Sequence, residues 1–181
     1  REVYDMFFRV SLVPRHRLNA SNWLSPFLRN SPLVDRDAFL SVAAFKSFDD
    51  KGAVWSLINA ALKANVHRWP TESRELAVVV LAWLTSVADR RVRDLSAKAM
   101  VRLLESQPDL GRVLTVEFQG CDDDYILESI ALAIYSACLL QRHRAAEFVP
   151  AFKGLLSPAF DSPNVLVRDS VRLLGQLIGR D

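Results

Sequence analysis

The side chains in this sequence with the widest chemical reach are Cys121 and Cys138, His16, His67 and His143, and the run Asp122-Asp123-Asp124. The two cysteines are 17 positions apart with no histidine at ligand spacing. A zinc site would therefore have to recruit ligands from elsewhere in the chain. The plainer reading is a reduced intracellular protein in which Cys138, within an apolar stretch, behaves as a small hydrophobe. The aspartate triplet lacks the alternating oxygens and closing Glu of a calcium loop, and its expected role is to cap a helix that starts there. The three histidines lie in distant segments with no nucleophile-elbow sequence near them. Gly52, Gly111, Gly120, Gly154, Gly175 and Gly179 are isolated and none precedes Lys, so no phosphate-cradling loop is encoded. No catalytic, metal-binding or cofactor-binding residue is expected.

Composition points the same way. The chain has 181 residues, 50% hydrophobic and 24% charged, with a net charge of +2. That is too apolar and too nearly neutral for disorder, and long enough to bury a core without staples. The most apolar windows, 76–84 and 130–140, are about half the ~18 residues needed to cross a bilayer. A cytoplasmic protein that does not enter membranes is expected. Because the first residue is Arg1, with no leader pattern after it, the chain is expected to be a piece of a longer protein.

The elements that position these residues read as successive helices. Residues 3–13 hold a continuous apolar run that pattern alone leaves open between strand and helix; the helical context favours helix. A basic break at Pro14-Arg15-His16-Arg17 follows, then a helix or helix-like turn over 19–30 interrupted at Ser25-Pro26. The next helix starts near Asp35 with Phe39, Val42, Ala43 and Lys46 on one face, and ends at the Asp49–Gly52 turn. Val54, Leu57, Ile58, Ala61 and Leu62 then share a face. From Glu72 to Val87, the residues Leu76, Val79, Val80, Trp83, Leu84 and Val87 mark one helical stripe. Asp89 is the expected N-cap of the next helix, and so short a connection implies an antiparallel hairpin.

A second pair of helices runs from Pro108, with Gly120 as the expected C-cap between them. A third runs from Ala145 to Leu156, breaks at Ser157-Pro158 and resumes after Ser162-Pro163. Val92-Arg93-Asp94 and Val167-Arg168-Asp169 match residue for residue 75 positions apart, with Ile126-Leu127-Glu128 at the equivalent place between them. A mean step of about 37 residues, two helices per step, falls in the range of helical solenoids. The expected fold is all-α: a right-handed α-α superhelix of stacked antiparallel hairpins, forming one domain over 1–181, less regular over 1–50 and repetitive over 51–181.

These segments resemble HEAT or armadillo repeats, whose second helix often opens Asp-x-x-Val-Arg; Asp89-Arg-Arg-Val92-Arg93 fits, and Asn164-Val-Leu-Val167-Arg168 fits with Asn for Asp. The resemblance implies that Arg93, Asp94, Arg168 and Asp169 bridge neighbouring hairpins. Two matching positions are too few to support the other reading, an arginine ladder for a polyanion. A more particular resemblance rests on an ordered set: Leu18-Asn19-Ala20, Arg36-Asp37-Ala38-Phe39-Leu40-Ser41, Gly52-Ala53-Val54-Trp55-Ser56-Leu57-Ile58, Leu81-Ala82-Trp83-Leu84-Thr85-Ser86, Arg93-Asp94-Leu95-Ser96-Ala97-Lys98-Ala99 and Asp123-Asp124-Tyr125-Ile126-Leu127-Glu128. In this order, over residues 18–141, they resemble the helical-repeat region of large bacterial STAND-type (NACHT-like) NTPases, including those of AVAST antiphage defence. That resemblance implies a non-catalytic sensor or scaffold segment that binds a protein partner or other domains of its parent chain, with the NTPase core elsewhere.

Trp55 and Trp69 are the candidate partner anchors, although large aromatics are more often buried for packing. The alternative class is a nucleic-acid-binding HEAT-like domain. It draws on 18 Arg and on the clusters Arg15-His16-Arg17 and Arg142-His143-Arg144. Against it, residues 1–70 carry 10 basic and 6 acidic groups and residues 121–181 carry 6 and 8, a weak concentration of charge for a nucleic-acid face. Solvated loops are the simpler reading of both clusters. The oligomeric state is not encoded in any pattern.

Overall fold

The computed structural model describes residues 2–157 and 163–179, which are helical with no strand among them. Ten α-helices are described: α1 (Glu2–Ser11), α2 (Ser25–Asn30), α3 (Leu33–Asp49), α4 (Ala53–Lys63), α5 (Thr71–Trp83), α6 (Arg90–Ser106), α7 (Leu110–Glu117), α8 (Asp124–Leu140), α9 (Val149–Leu155) and α10 (Val165–Ile178). None of the described helices is long and apolar enough to cross a membrane. Pro158 and Ser162, at the expected break before α10, lie outside the described residues.

Packing follows alternate helices. α4 packs on α6, α6 on α8 and α8 on α10, while α5 packs on α7 and α7 on α9. Within the first series each later helix starts the same way. Asp89 accepts from the amides of Arg91 and Val92, Asp123 from those of Tyr125 and Ile126, and Asn164 from that of Leu166. Three residues after each cap stands a buried aliphatic side chain, Val92, Ile126 or Val167. The cap fixes where the helix begins, so it also fixes which residue enters the core.

α5 is more deeply buried than its stripe implies. All eight residues from Leu76 to Trp83 are buried, as expected of a helix enclosed by neighbours on every side. It also ends earlier than Val87. The hydroxyls of Thr85 and Ser86 donate to the carbonyls of Ala82 and Trp83 at 2.6 and 3.0 Å, and the chain tightens into a 3-10 turn over Leu84–Ser86.

Three further boundaries differ from expectation. Ser25-Pro26 does not interrupt its helix. A π-helical turn, Ala20–Leu24, leads directly into α2, with Pro26 in the first turn, where its missing N–H is harmless. The segment from Ala145 is divided by Pro150: Arg142–Phe148 is 3-10 and kinked at Arg144, and α9 starts at Val149. Gly120 adopts φ +69° two residues beyond the true C-cap, Phe118.

The face of α3 is also rotated from the expected one. Arg36, Leu40, Ala43, Ala44 and Ser47 point inward, whereas Val42 and Lys46 are exposed and Phe39 is half-buried. An inward Arg and an inward Ser conceal the phase of the stripe.

Candidate functional site

The N-terminal helices meet around Asp5. α4 follows the tight turn at Lys51, whose φ is 56°, and its own N-cap, Gly52, has no side chain to offer. The missing cap comes from other helices. Asp5 of α1 accepts from the Ala53 amide and, at 3.0 Å, from the Ser47 hydroxyl, whose oxygen in turn accepts from the Val54 amide at 3.0 Å. Burial opposes ionisation of Asp5, but the Ala53 amide, Arg9 and Ser47 outweigh it and hold the carboxyl below its ordinary value. A Cβ on Gly52 would lie 2.1 Å from the Asp5 carboxylate. That corner thus requires glycine.

Beside this junction lies a groove of about 440 Å3, open to solvent, formed by Leu12 just after α1, Leu57 and Ala60 of α4, Ala77 of α5 and the indole of Trp69. Its volume is within the ~300–1,000 Å3 range of binding pockets. Small side chains on the facing helices leave the space. Arg9 stands at the edge of the groove, its side chain 66% exposed and its Nε 2.5 Å from Asp5. Arg9 also lines an adjoining polar cleft of about 280 Å3 with Lys46 and Lys51. An apolar trough ending in cations can hold an apolar side chain and a neighbouring anion.

A second cluster lies inside the protein. Arg36, fully buried on α3, donates to Asp122 at 2.8 Å and Asp123 at 3.3 Å, and lies 5.5 Å from the centre of the Trp83 ring. Trp83 in turn packs 5.1 Å from Phe118. Burial pushes the Asp123 carboxyl up, against the opposing pull of Arg36 and of the two amides it caps. Burial likewise raises the thiol of Cys121. This cluster ties α3 to the turn before α8, which makes it structural.

The residues singled out by sequence are dispersed. Asp94 pairs with Arg90 at 3.2 Å and Asp169 with Arg172 at 3.0 Å, each within its own helix. Among the described residues the partners of these aspartates are thus intrahelical, one turn further along or back on the exposed face, rather than across neighbouring hairpins as expected. Arg93 donates at 3.4 Å to the Val87 carbonyl just before its helix, and Arg168 is exposed. Asn164 does reach a neighbouring hairpin, donating to Glu128 at 3.2 Å and linking α10 to α8.

Arg15 is exposed and 3.6 Å from Glu72; Arg17 and Arg142 are exposed. Arg144 departs from the solvated-loop reading. It is half-buried, forks onto Glu147 at 2.7 and 2.8 Å, and donates at 3.0 Å to the Glu105 carbonyl near the end of α6. Trp55 and Trp69 are both half-buried, and Trp69 alone of the two lines the groove. Among the described residues no group of three or more His, Cys, Asp or Glu is placed to hold a metal ion.

Sequence reading missed Asp5, Arg9, Arg36 and Gly52. One signal for Arg36 was present: it lies 4, 7, 8 and 11 positions before Leu40, Ala43, Ala44 and Ser47, in phase with the buried face. Compared with protein-family models, curated proteins and solved structures, the chain matches none of them.

Proposed function

We propose that this chain is a non-catalytic helical-repeat module that binds a protein partner, or other domains of its parent chain. In this reading its hairpins stack as a right-handed α-α superhelix of the HEAT or armadillo kind. The observation that carries the reading is the order of packing, α4 on α6 on α8 on α10 with α5 on α7 on α9. Stacking of that kind generates extended surfaces suited to a macromolecular ligand. The recurrence of an Asp or Asn cap followed by a buried aliphatic residue three positions on supports the same repeat.

The ordered motifs from Leu18 to Glu128 extend the proposal to the parent protein: a bacterial cytoplasmic STAND-type NTPase, as in antiphage defence, with this segment as sensor or scaffold. A partner protein is favoured over nucleic acid because Arg144 is occupied by Glu147 and Glu105, and Arg15 faces Glu72. The test is binding of a labelled DNA duplex to the chain at ~150 mM salt, where weak phosphate contacts are screened, together with an ATPase assay. Weak or no duplex binding and no ATP hydrolysis are expected. Submicromolar, salt-sensitive binding that disappears in Arg15→Ala/Arg17→Ala would overturn the proposal.

A further inference from the structure

We infer that the groove beside Trp69 docks an extended segment of a separate protein that carries a bulky apolar side chain next to an acidic residue. This rests on the protein-binding reading above and names its site. The groove offers Leu12, Leu57, Ala60, Ala77 and Trp69 as an apolar lining, and Trp69 is a side chain of the kind that dominates binding energy at interfaces.

Charge sets the neighbouring contact. The adjoining cleft has three cations, Arg9, Lys46 and Lys51, against two carboxylates, Asp5 and Asp50. Asp5 is already committed to the Ala53 amide, Ser47 and Arg9. Arg9 uses its Nε on Asp5 and keeps the side chain 66% exposed, leaving further guanidinium donors for an incoming carboxylate. Since Arg9 lines both cavities, an apolar anchor and an adjacent acid would meet their complements together.

Other occupants fit less well. A second copy docking through the same patch in a two-fold contact would bring the cationic edges together. A nucleic-acid strand would find an apolar trough where it needs continuous positive charge.

The experiment pans a phage library of random peptides, ~12 residues long, a length that spans a groove-bound segment, against the full 181-residue chain. The most enriched peptide is then synthesised with a fluorophore and titrated by anisotropy. Enriched sequences are expected to set Leu, Ile, Met, Phe or Trp within two positions of Asp or Glu. Ala60→Phe, which fills the groove, is expected to raise Kd about tenfold or more, the scale of losing a buried anchor. Lys51→Glu is expected to raise it several-fold, the difference shrinking in high salt. Should Ala60→Phe not fold by circular dichroism, Ser56→Trp obstructs the same groove from an exposed position.

An unchanged Kd in a folded groove-filled variant would overturn the site and leave the protein-binding function standing. Failure to enrich any peptide would also overturn the site, as would binding indifferent to both Lys51→Glu and salt. So would a wild-type dimer that becomes monomeric in Ala60→Phe, since the groove would then hold a second copy. Failure of the protein-binding reading itself is registered separately, by tight duplex binding.

Discussion

The guanidinium of Arg36 on α3 lies 3.3 Å from the carboxylate of Asp123, the N-cap of α8, although 87 positions separate them in the chain. Both are buried, so neither can regain water if its partner is removed. Removing one member of such a pair costs about 3–5 kcal/mol, whereas replacing both by neutral groups costs far less.

Arg36→Met is therefore expected to destabilise the protein by about 3 kcal/mol at pH 7. The penalty should shrink on acidification. Asp123 is raised above its ordinary value of 3.8 by burial, so the folded state holds its proton more tightly than the unfolded state. Its contribution is present below the unfolded value and lost as pH rises through the folded one. Without Arg36 that folded value rises further. Urea unfolding at pH 7 and at about pH 5 checks this, and equal penalties at both would contradict it. Arg36→Met/Asp123→Asn should recover most of the loss, because Asn retains the cap.

The cap supplied in trans by Asp5 makes a prediction of opposite sign. Its folded pKa is lowered, so its contribution is present above the ordinary value of 3.8 and lost as pH falls through the lowered one. Asp5→Ala should thus cost stability at neutral pH, about 1–2 kcal/mol for a lost cap, and that cost should shrink in acid. Gly52→Ala should cost a similar amount by displacing the same carboxylate, 2.1 Å from the added Cβ. In an Asp5→Ala background the glycine change should cost less, a coupling that a double-mutant cycle measures.

Loss of the two partly exposed caps should be milder. Asp89→Ala and Asn164→Ala are each expected to cost about 1 kcal/mol. Asn164→Ala should be the larger, since it breaks the 3.2 Å bond to Glu128 that joins α10 to α8, whereas the further loss in Asp89→Ala is a local pair with the exposed Arg91 at 2.7 Å. Thermal unfolding would resolve the order. Hydrogen exchange should accelerate first in the helix that lost its cap.

Arg144 holds the kinked 142–148 segment to the end of α6. Arg144→Ala should cost about 1 kcal/mol, allowing for solvent around the half-exposed Glu147. Glu147→Ala should cost less, because the bond to the Glu105 carbonyl survives. Equal losses in chemical denaturation would assign the whole effect to the ion pair.

Helices whose apolar periodicity was undisturbed were legible in the sequence, and so were the cap Asp89 and the capping role of the Asp122–Asp124 run, since a polar cap just before an apolar run is a local signal. What escaped was non-local. Asp5 caps a helix that begins 48 residues later, and nothing near Ala53 announces it. Arg36 reads as solvent-facing because charged residues are almost never fully buried unless paired, and its partner lies beyond the reach of any local pattern. The groove depends on how α1, α4 and α5 converge around Trp69, and spacing within one helix carries no information about that convergence. The intrahelical pairs of Asp94 and Asp169 show the reverse case: Arg90 and Arg172 stood at ion-pair spacing all along.

Competition at the groove tests the central claim most directly. The chain, saturated with the labelled, selected peptide at ~150 mM salt, is titrated with unlabelled peptide and, separately, with an unlabelled DNA duplex while anisotropy is followed. Displacement by the peptide but not by the duplex, with the peptide's Kd raised about tenfold or more in Ala60→Phe, is the result predicted for a protein-docking module. Displacement by submicromolar duplex, undiminished in Ala60→Phe, would contradict it.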